Sequence, residues 1–366
     1  MEKAKINVLQ LFAMMFIFNM GTALVVSYGI SAKKDAWIAI LLGMSGGIVL
    51  FFIYYFLFRQ YPNLPLTGYA RKIFGKHLGW GIGLLYVVFL LYIAARDLRD
   101  FGDLLITSTM PRTPLLAVNI LMVLAICYVL YLGIEVLART TEVFFFILLF
   151  IGIAGSFFVY LTGRVDIDHL RPVLEYGWKP ILTTSFPLIT NFPFGEMIVF
   201  SMLLPYLNRP KSAKNVWLTA IILSGLVLSY TTSLNIAVLG LEEVEKSNFP
   251  LLTTIGRVNI LEFIQRLDAF VVFTLLINTF FKTSILFYGA VIGMVDLFNL
   301  QNHRQIVFPA GVILLLLSMI IASNFVEHIE EGQNTVQNVI YPSLMLFIPL
   351  AMLLISFIKN GVKKKK

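Results

Sequence analysis

The chain has 366 residues, of which 58% are hydrophobic and only 13% charged, against about 45–50% and 25% in soluble domains. This composition excludes a water-soluble globular enzyme and predicts an all-α polytopic membrane protein, with one transmembrane domain accounting for 1–366. The formal net charge of +8 reads as an orientation signal and an affinity for anionic lipid, since no aromatic and basic surface of the kind that binds single-stranded nucleic acid stands outside the apolar runs.

At about 20 apolar residues per helical span, ten spans are predicted. The first five are Ile6–Ile30, Ala36–Phe58, Leu78–Thr109, Leu115–Leu132 and Thr141–Leu161. The second five are Ile181–Leu204, Val216–Leu239, Ile260–Leu297, Ile306–Phe325 and Val339–Ile358. The first and sixth are interrupted, five helices apart, which predicts a five-plus-five inverted repeat of the LeuT type, with the two breaks meeting near the bilayer midplane. The repeats run over about 6–162 and 181–358, and a basic tail follows at 359–366.

In the first span, Asn19-Met20-Gly21-Thr22 splits the apolar run. Gly21 and Thr22 would open an outer half-helix whose unpaired amides suit an anion such as an amino-acid carboxylate; the plainer reading is a kink that relieves packing. The third span carries Arg96, Asp97, Arg99, Asp100 and Asp103. Pairing Arg96 with Asp100 and Arg99 with Asp103 at four-residue spacing leaves Asp97 over, to line a water path or to meet Lys282. The plainer reading makes this the outer end of a tilted helix with solvated ion pairs. Glu135, Arg139 and Glu142 bracket the turn between the fourth and fifth spans and read as a structural charge cluster.

The sixth span holds the sharpest interruption, Phe186-Pro187-Leu188-Ile189-Thr190-Asn191-Phe192-Pro193-Phe194-Gly195-Glu196. Two prolines free carbonyls one turn back and Gly195 relaxes the backbone, and such groups survive in lipid only when buried in protein or facing a wet cavity. Carbonyls near Asn191, Phe192 and Phe194 suit an ammonium, with Phe192 and Phe194 as walls. Glu196 lies at mid-depth, where a carboxylate costs about 2.5–3.5 kcal/mol to insert, so it either locks the inner half-helix or handles a ligand or proton. The eighth span places Lys282, Thr283 and Ser284 in an apolar run. Lys282 needs an acid, Glu196 among the candidates, either to fix register or to gate; Thr283 and Ser284 offer hydroxyls to a ligand or a sodium ion.

Lysine and arginine crowd the termini and the even-numbered turns, sixteen against eight on the other side, which places both termini in the cytoplasm by the positive-inside rule. The first span shows no small-residue cleavage site and is expected to be retained. The single Cys127 reads as a core thiol and the four histidines as scattered loop residues. No HExxH, CxxC, GxSxG or P-loop pattern occurs, so neither metal, cofactor nor enzymatic activity is expected.

Four motifs carry a resemblance. Gly133-Ile134-Glu135-Val136-Leu137-Ala138-Arg139 resembles the GxExxAR signature of the B subunits of bacterial spore germinant receptors, and Pro193-Phe194-Gly195-Glu196 their break in the sixth helix. Leu98-Arg99-Asp100-Phe101 and Met110-Pro111-Arg112-Thr113-Pro114 are similar to their third-helix end and outer turn. The resemblance implies a ten-helix fold of the amino acid–polyamine–organocation type in the spore inner membrane. It also implies assembly with an A-type membrane subunit and a C-type lipoprotein, and an amino acid or similar small nutrient as germinant. The family's pocket between helices one, three, six and eight falls here on Gly21, Thr22, Phe194, Gly195 and Glu196, with Thr283 and Ser284. The fifth span lacks the lysine of some proton-coupled relatives. The alternative function is a proton- or sodium-coupled amino-acid transporter, with Lys282, Glu196 or Asp97 carrying the coupling.

Overall fold

A computed structural model describes residues 4–24, 29–257, 268–322 and 324–364. The described residues form an almost wholly helical integral membrane protein. Eight helices are long and apolar enough to cross a bilayer, and two shorter apolar ones, Val8–Leu24 and Arg304–Ile320, complete ten. We number them α1 (Val8–Met20, with a 3-10 turn at Thr22–Leu24), α2 (Ala36–Gln60), α3 (Lys76–Ser108), α4 (Leu115–Leu132), α5 (Ile134–Leu161), α6 (Trp178–Tyr206, broken), α7 (Ala213–Leu239), α8 (Asp268–Leu297), α9 (Arg304–Ile320) and α10 (Glu327–Lys359). The outer end expected for the first span, 25–28, and the start expected for the eighth, 260–267, lie outside the described residues.

α1 begins with a reciprocal cap: Asn7 Oδ1 accepts from the Gln10 amide at 2.8 Å and Gln10 Oε1 from the Asn7 amide at 3.0 Å, which satisfies two donors that a helix start leaves orphaned. It ends at Gly21, beyond which the backbone tightens into the 3-10 turn. α6 breaks at Phe186 (φ −128°, ψ 116°) and Phe192 (φ −122°, ψ 125°), each just before a proline. Gly195 itself is ordinarily helical at φ −69°, ψ −33°; what the site uses is its size, because a Cβ there would stand 2.8 Å from Met345 Sδ.

The broken helix is seated on a stripe of small residues. A Cβ at Gly43 would come within 2.3 Å of Ile189 Cγ2, one at Gly46 within 2.2 Å of Thr190 Oγ1, and one at Gly47 within 2.4 Å of Phe194 Cβ. Without a hydrophobic drive between helices in lipid, close backbone approach of this kind is what holds them together. α8 packs along α3, and α1 lies against α5, α7 and α8.

Two boundaries differ from expectation. α5 starts at Ile134, so Glu135, Arg139 and Glu142 lie in its first turns and the α4–α5 connection is Gly133 alone, at φ +106°, a conformation that favours glycine. Arg139 pairs with Glu135 at 3.6 Å and the Lys5 amide donates to Glu135 Oε1 at 3.1 Å, whereas Glu142 makes no ion pair among the described residues. α10 begins some twelve residues earlier than expected, opening in a turn at Phe325–Glu331 that Asn324 caps, accepting from the Glu327 amide at 2.9 Å. Its middle winds wide as π-helix over Gly332–Ile340 and Pro342–Phe347. Two carbonyls of that stretch are taken by tyrosines: Tyr86 donates to Leu344 O and Tyr54 to Met345 O, both at 2.6 Å.

The first and last described segments reach one face, where Ile6 bridges Leu207 and Lys359 Nζ donates to Ile73 O at 2.5 Å. The opposite face carries the pairs Lys33–Glu245 and Lys34–Glu175, each at 2.7 Å.

Candidate functional site

Lys282, wholly buried in α8, is the centre of the molecule's polar interior. Its Nζ lies 2.7 Å from Glu196 Oε2 of α6 and 3.4 Å from Asp97 Oδ1 of α3. It donates to Thr22 Oγ1 at 3.1 Å, just past the α1 break, and sits 4.1 Å from the centroid of the Phe192 ring at the α6 break. Thr22 Oγ1 donates in turn to Asp97 Oδ1 at 3.1 Å. One ammonium thus joins both interruptions to α3. Charges at this depth are tolerated when paired inside the bundle, and a short ion pair flanked by a hydroxyl and an aromatic face meets that condition.

The arrangement explains Gly21. A Cβ there would lie 2.4 Å from Lys282 Cδ and 3.2 Å from its Cβ, so the lysine stem runs across the glycine. The space beside Gly21 at the break is therefore filled by this chain's own side chain.

Beside the cluster opens a narrow cleft with about 60 Å³ of interior space. Thr22, Asp97, Phe192 and Glu196 line it together with Arg96, Asp100, His328, Gln337 and Tyr341. The last three come from α10, which the sequence reading left out of the site. Tyr341 donates its hydroxyl to Glu196 Oε1, and Asn191 Nδ2 donates to Gln337 O at 3.3 Å. Arg96 does not pair along its helix with Asp100: Nη1 meets Glu331 Oε2 at 2.9 Å and Nη2 donates to His328 O at 2.6 Å. Asp100 instead meets His328 Nε2 at 2.9 Å. Arg99 does pair with Asp103, at 2.9 Å. These are not solvated pairs, since Arg96, Asp97, Arg99 and Asp103 are all buried. His328, expected in a loop, is buried in the helical turn that opens α10.

The remaining expected residues stand elsewhere. Phe194 and Gly195 pack against α2 and α10. Thr283 and Ser284 are wholly buried on α8 with no hydrogen-bond partner for either hydroxyl, outside the lining of the cleft. Glu135 and Arg139 belong to the face that carries the termini. The α10 residues had one readable signal, Asn324-Phe325-Val326-Glu327, a helix-start pattern of the capping type; three acids between 327 and 331 and a histidine made the stretch look like a loop.

The profile of a family described as "Spore germination protein" matches residues 5–326. The chain belongs to that family. Spore germination protein KB of Bacillus subtilis (strain 168) is 39% identical over 365 residues, covering 100% of this chain and 98% of that protein. Among solved structures, the fold is similar to Mhp1, a nucleobase-cation-symport-1 family transporter in a closed conformation with bromovinylhydantoin bound, at TM-score 0.75 and 13% identity over 96% of this chain and 78% of that one. It is similar also to MhsT in complex with L-phenylalanine, at TM-score 0.62 and 15% identity over 96% and 97%. This spore germination protein therefore has the fold of the LeuT-type transporters, the ten-helix architecture with broken first and sixth helices that its sequence predicts.

Proposed function

We propose that this chain is the nutrient-sensing membrane subunit of a spore germinant receptor, binding a small germinant, foremost an amino acid, beside the two broken helices and signalling to an A-type membrane subunit and a C-type lipoprotein. In this reading it sits in the spore inner membrane with both termini inside, built from two halves at about 6–162 and 181–358. The observation that carries it is the junction at Lys282, where the breaks of α1 and α6 meet α3 beneath the cleft.

A germinant acts only through a difference in affinity between two states of the receptor. The contacts available for such a difference are Tyr341 to Glu196, His328 to Asp100 and Glu331 to Arg96, all of which tie α10 to the cleft. A ligand that rearranges any of them moves α10 relative to α3 and α6. Within the cleft, Thr22, Asp97 and Phe192 serve the ligand; Glu196 and Lys282 hold the breaks together; Gly21 gives the lysine its path.

The test uses spores in which this chain forms part of the sole germinant receptor. Gly21→Trp is expected to abolish the response to every amino acid that triggers wild-type spores, at unchanged protein level; a normal response removes the pocket from the α1 break. Proteoliposomes supply the other arm: accumulation of labelled amino acid driven by a proton or sodium gradient would replace sensing by coupled transport.

A further inference from the structure

The charge cluster at Lys282 is short of one positive charge and of hydrogen-bond donors. Asp97 and Glu196, both buried, share the single ammonium of Lys282. Arg96, the other cation in the wall, is taken up by Glu331 and the His328 carbonyl. Glu196 has Tyr341 as a donor to its second oxygen. Asp97 is different: Thr22 and Lys282 both address Oδ1, and Oδ2 is buried with no hydrogen-bond donor among the described residues. A buried carboxylate oxygen left unsatisfied costs more than a neutral group would. In the same cleft His328 Nε2 faces Asp100 at 2.9 Å, and its Nδ1 too is buried without a hydrogen-bond partner among the described residues.

Resting on the reading of the cleft as a germinant site, we propose that Asp97 Oδ2 receives the ammonium group of the ligand, so that the cleft selects small molecules carrying a primary amine. An ammonium brings three donors and one positive charge. That supplies the charge the Asp97–Glu196–Lys282 cluster lacks and a donor for Asp97 Oδ2. Phe192, which lines the cleft and already faces Lys282 at 4.1 Å, offers the aromatic surface that favours cations. The seat is on α3. It differs from the α6 carbonyls that the sequence suggested.

The experiment is a thermal-shift series on the full chain in lipid nanodiscs. The probes are the L-amino acids, the 2-hydroxy acids with the same side chains, and sodium chloride against choline chloride. A ligand bound only by the folded state raises its apparent stability. The expected result is a rise in melting temperature with one or more amino acids, no rise with the matching 2-hydroxy acid, loss of the rise in Asp97→Asn, and its retention in Cys127→Ala. The comparison of amine with hydroxyl is made on the wild-type chain and holds even if Asp97→Asn does not fold. Equal stabilisation by amino acid and hydroxy acid, or an undiminished rise in folded Asp97→Asn, overturns the ammonium seat while leaving the pocket in place. Stabilisation by sodium alone overturns it in favour of an inorganic cation. No stabilisation by any probe overturns the seat and the sensing role of the isolated chain together.

Discussion

At the scale of single residues, Lys282 decides how the interior is held. Removing its charge leaves Asp97 and Glu196 buried without their cation, and breaking a buried pair in this way costs about 3–5 kcal/mol. Lys282→Met is therefore expected to unfold at markedly lower temperature or denaturant concentration than wild type. Adding Glu196→Gln to Lys282→Met should recover part of the loss, because one of the two stranded charges is gone; if the double variant is no more stable than the single one, the Lys282–Glu196 pair is not what stabilises the junction. Gly21→Ala makes a finer test. Its methyl would meet Lys282 Cδ at 2.4 Å and the Phe18 carbonyl at 2.9 Å, so the lysine must shift off Glu196. Spores carrying it should show a weakened germination response with normal protein level, and a full response would mean that the stem relocates without effect on the site.

At the scale of elements, two helices do what their composition does not announce. α2 looks like a plain apolar span, yet Gly43, Gly46 and Gly47 form the seat for the α6 break. Gly46→Leu is expected to prevent the broken helix from docking and to deplete the protein from membranes, measured by immunoblot; undiminished accumulation would show that α6 is held elsewhere. α10 carries the wall of the cleft on a π-wound stretch, a form that single turns commonly take at functional sites. Gly332 lies there under the Arg96 guanidinium, where a Cβ would stand 2.5 Å from Nη2. Gly332→Val should drive Arg96 off the His328 carbonyl and change the germinant concentration needed for half-maximal response without reducing protein level. An unchanged concentration dependence would separate α10 from ligand sensing. The sequence reading placed the acids of 327–331 in a loop because charge density is the usual sign of one; the helix forms there because Arg96 and Asp100 on α3 receive the side chains of Glu331 and His328.

At the scale of the whole molecule, the basic face that holds both termini is expected in the cytoplasm. In a Cys127→Ala background, Lys33→Cys should react with a membrane-impermeant maleimide on intact cells, and Arg209→Cys only after permeabilisation; the reverse pattern would invert the topology. The ten spans, the two breaks and the excess of basic residues on one face were all legible in the chain, because the bilayer imposes them locally: a span needs about 20 apolar residues, and a proline removes a backbone donor wherever it sits. The family was legible for a related reason, since its motifs are turns and breaks with fixed local chemistry, Gly133 at φ +106° being the clearest. What only the tertiary structure decided was partnership. Arg96 had a carboxylate four residues away and took Glu331 on another helix; Lys282 had several acids to choose from and joined Glu196 and Asp97 at once; Gly21 turned out to be small for the sake of a lysine 261 positions later. Buried charges choose partners by the distance and desolvation that helix packing imposes, and neither quantity is written in the spacing of residues along one helix.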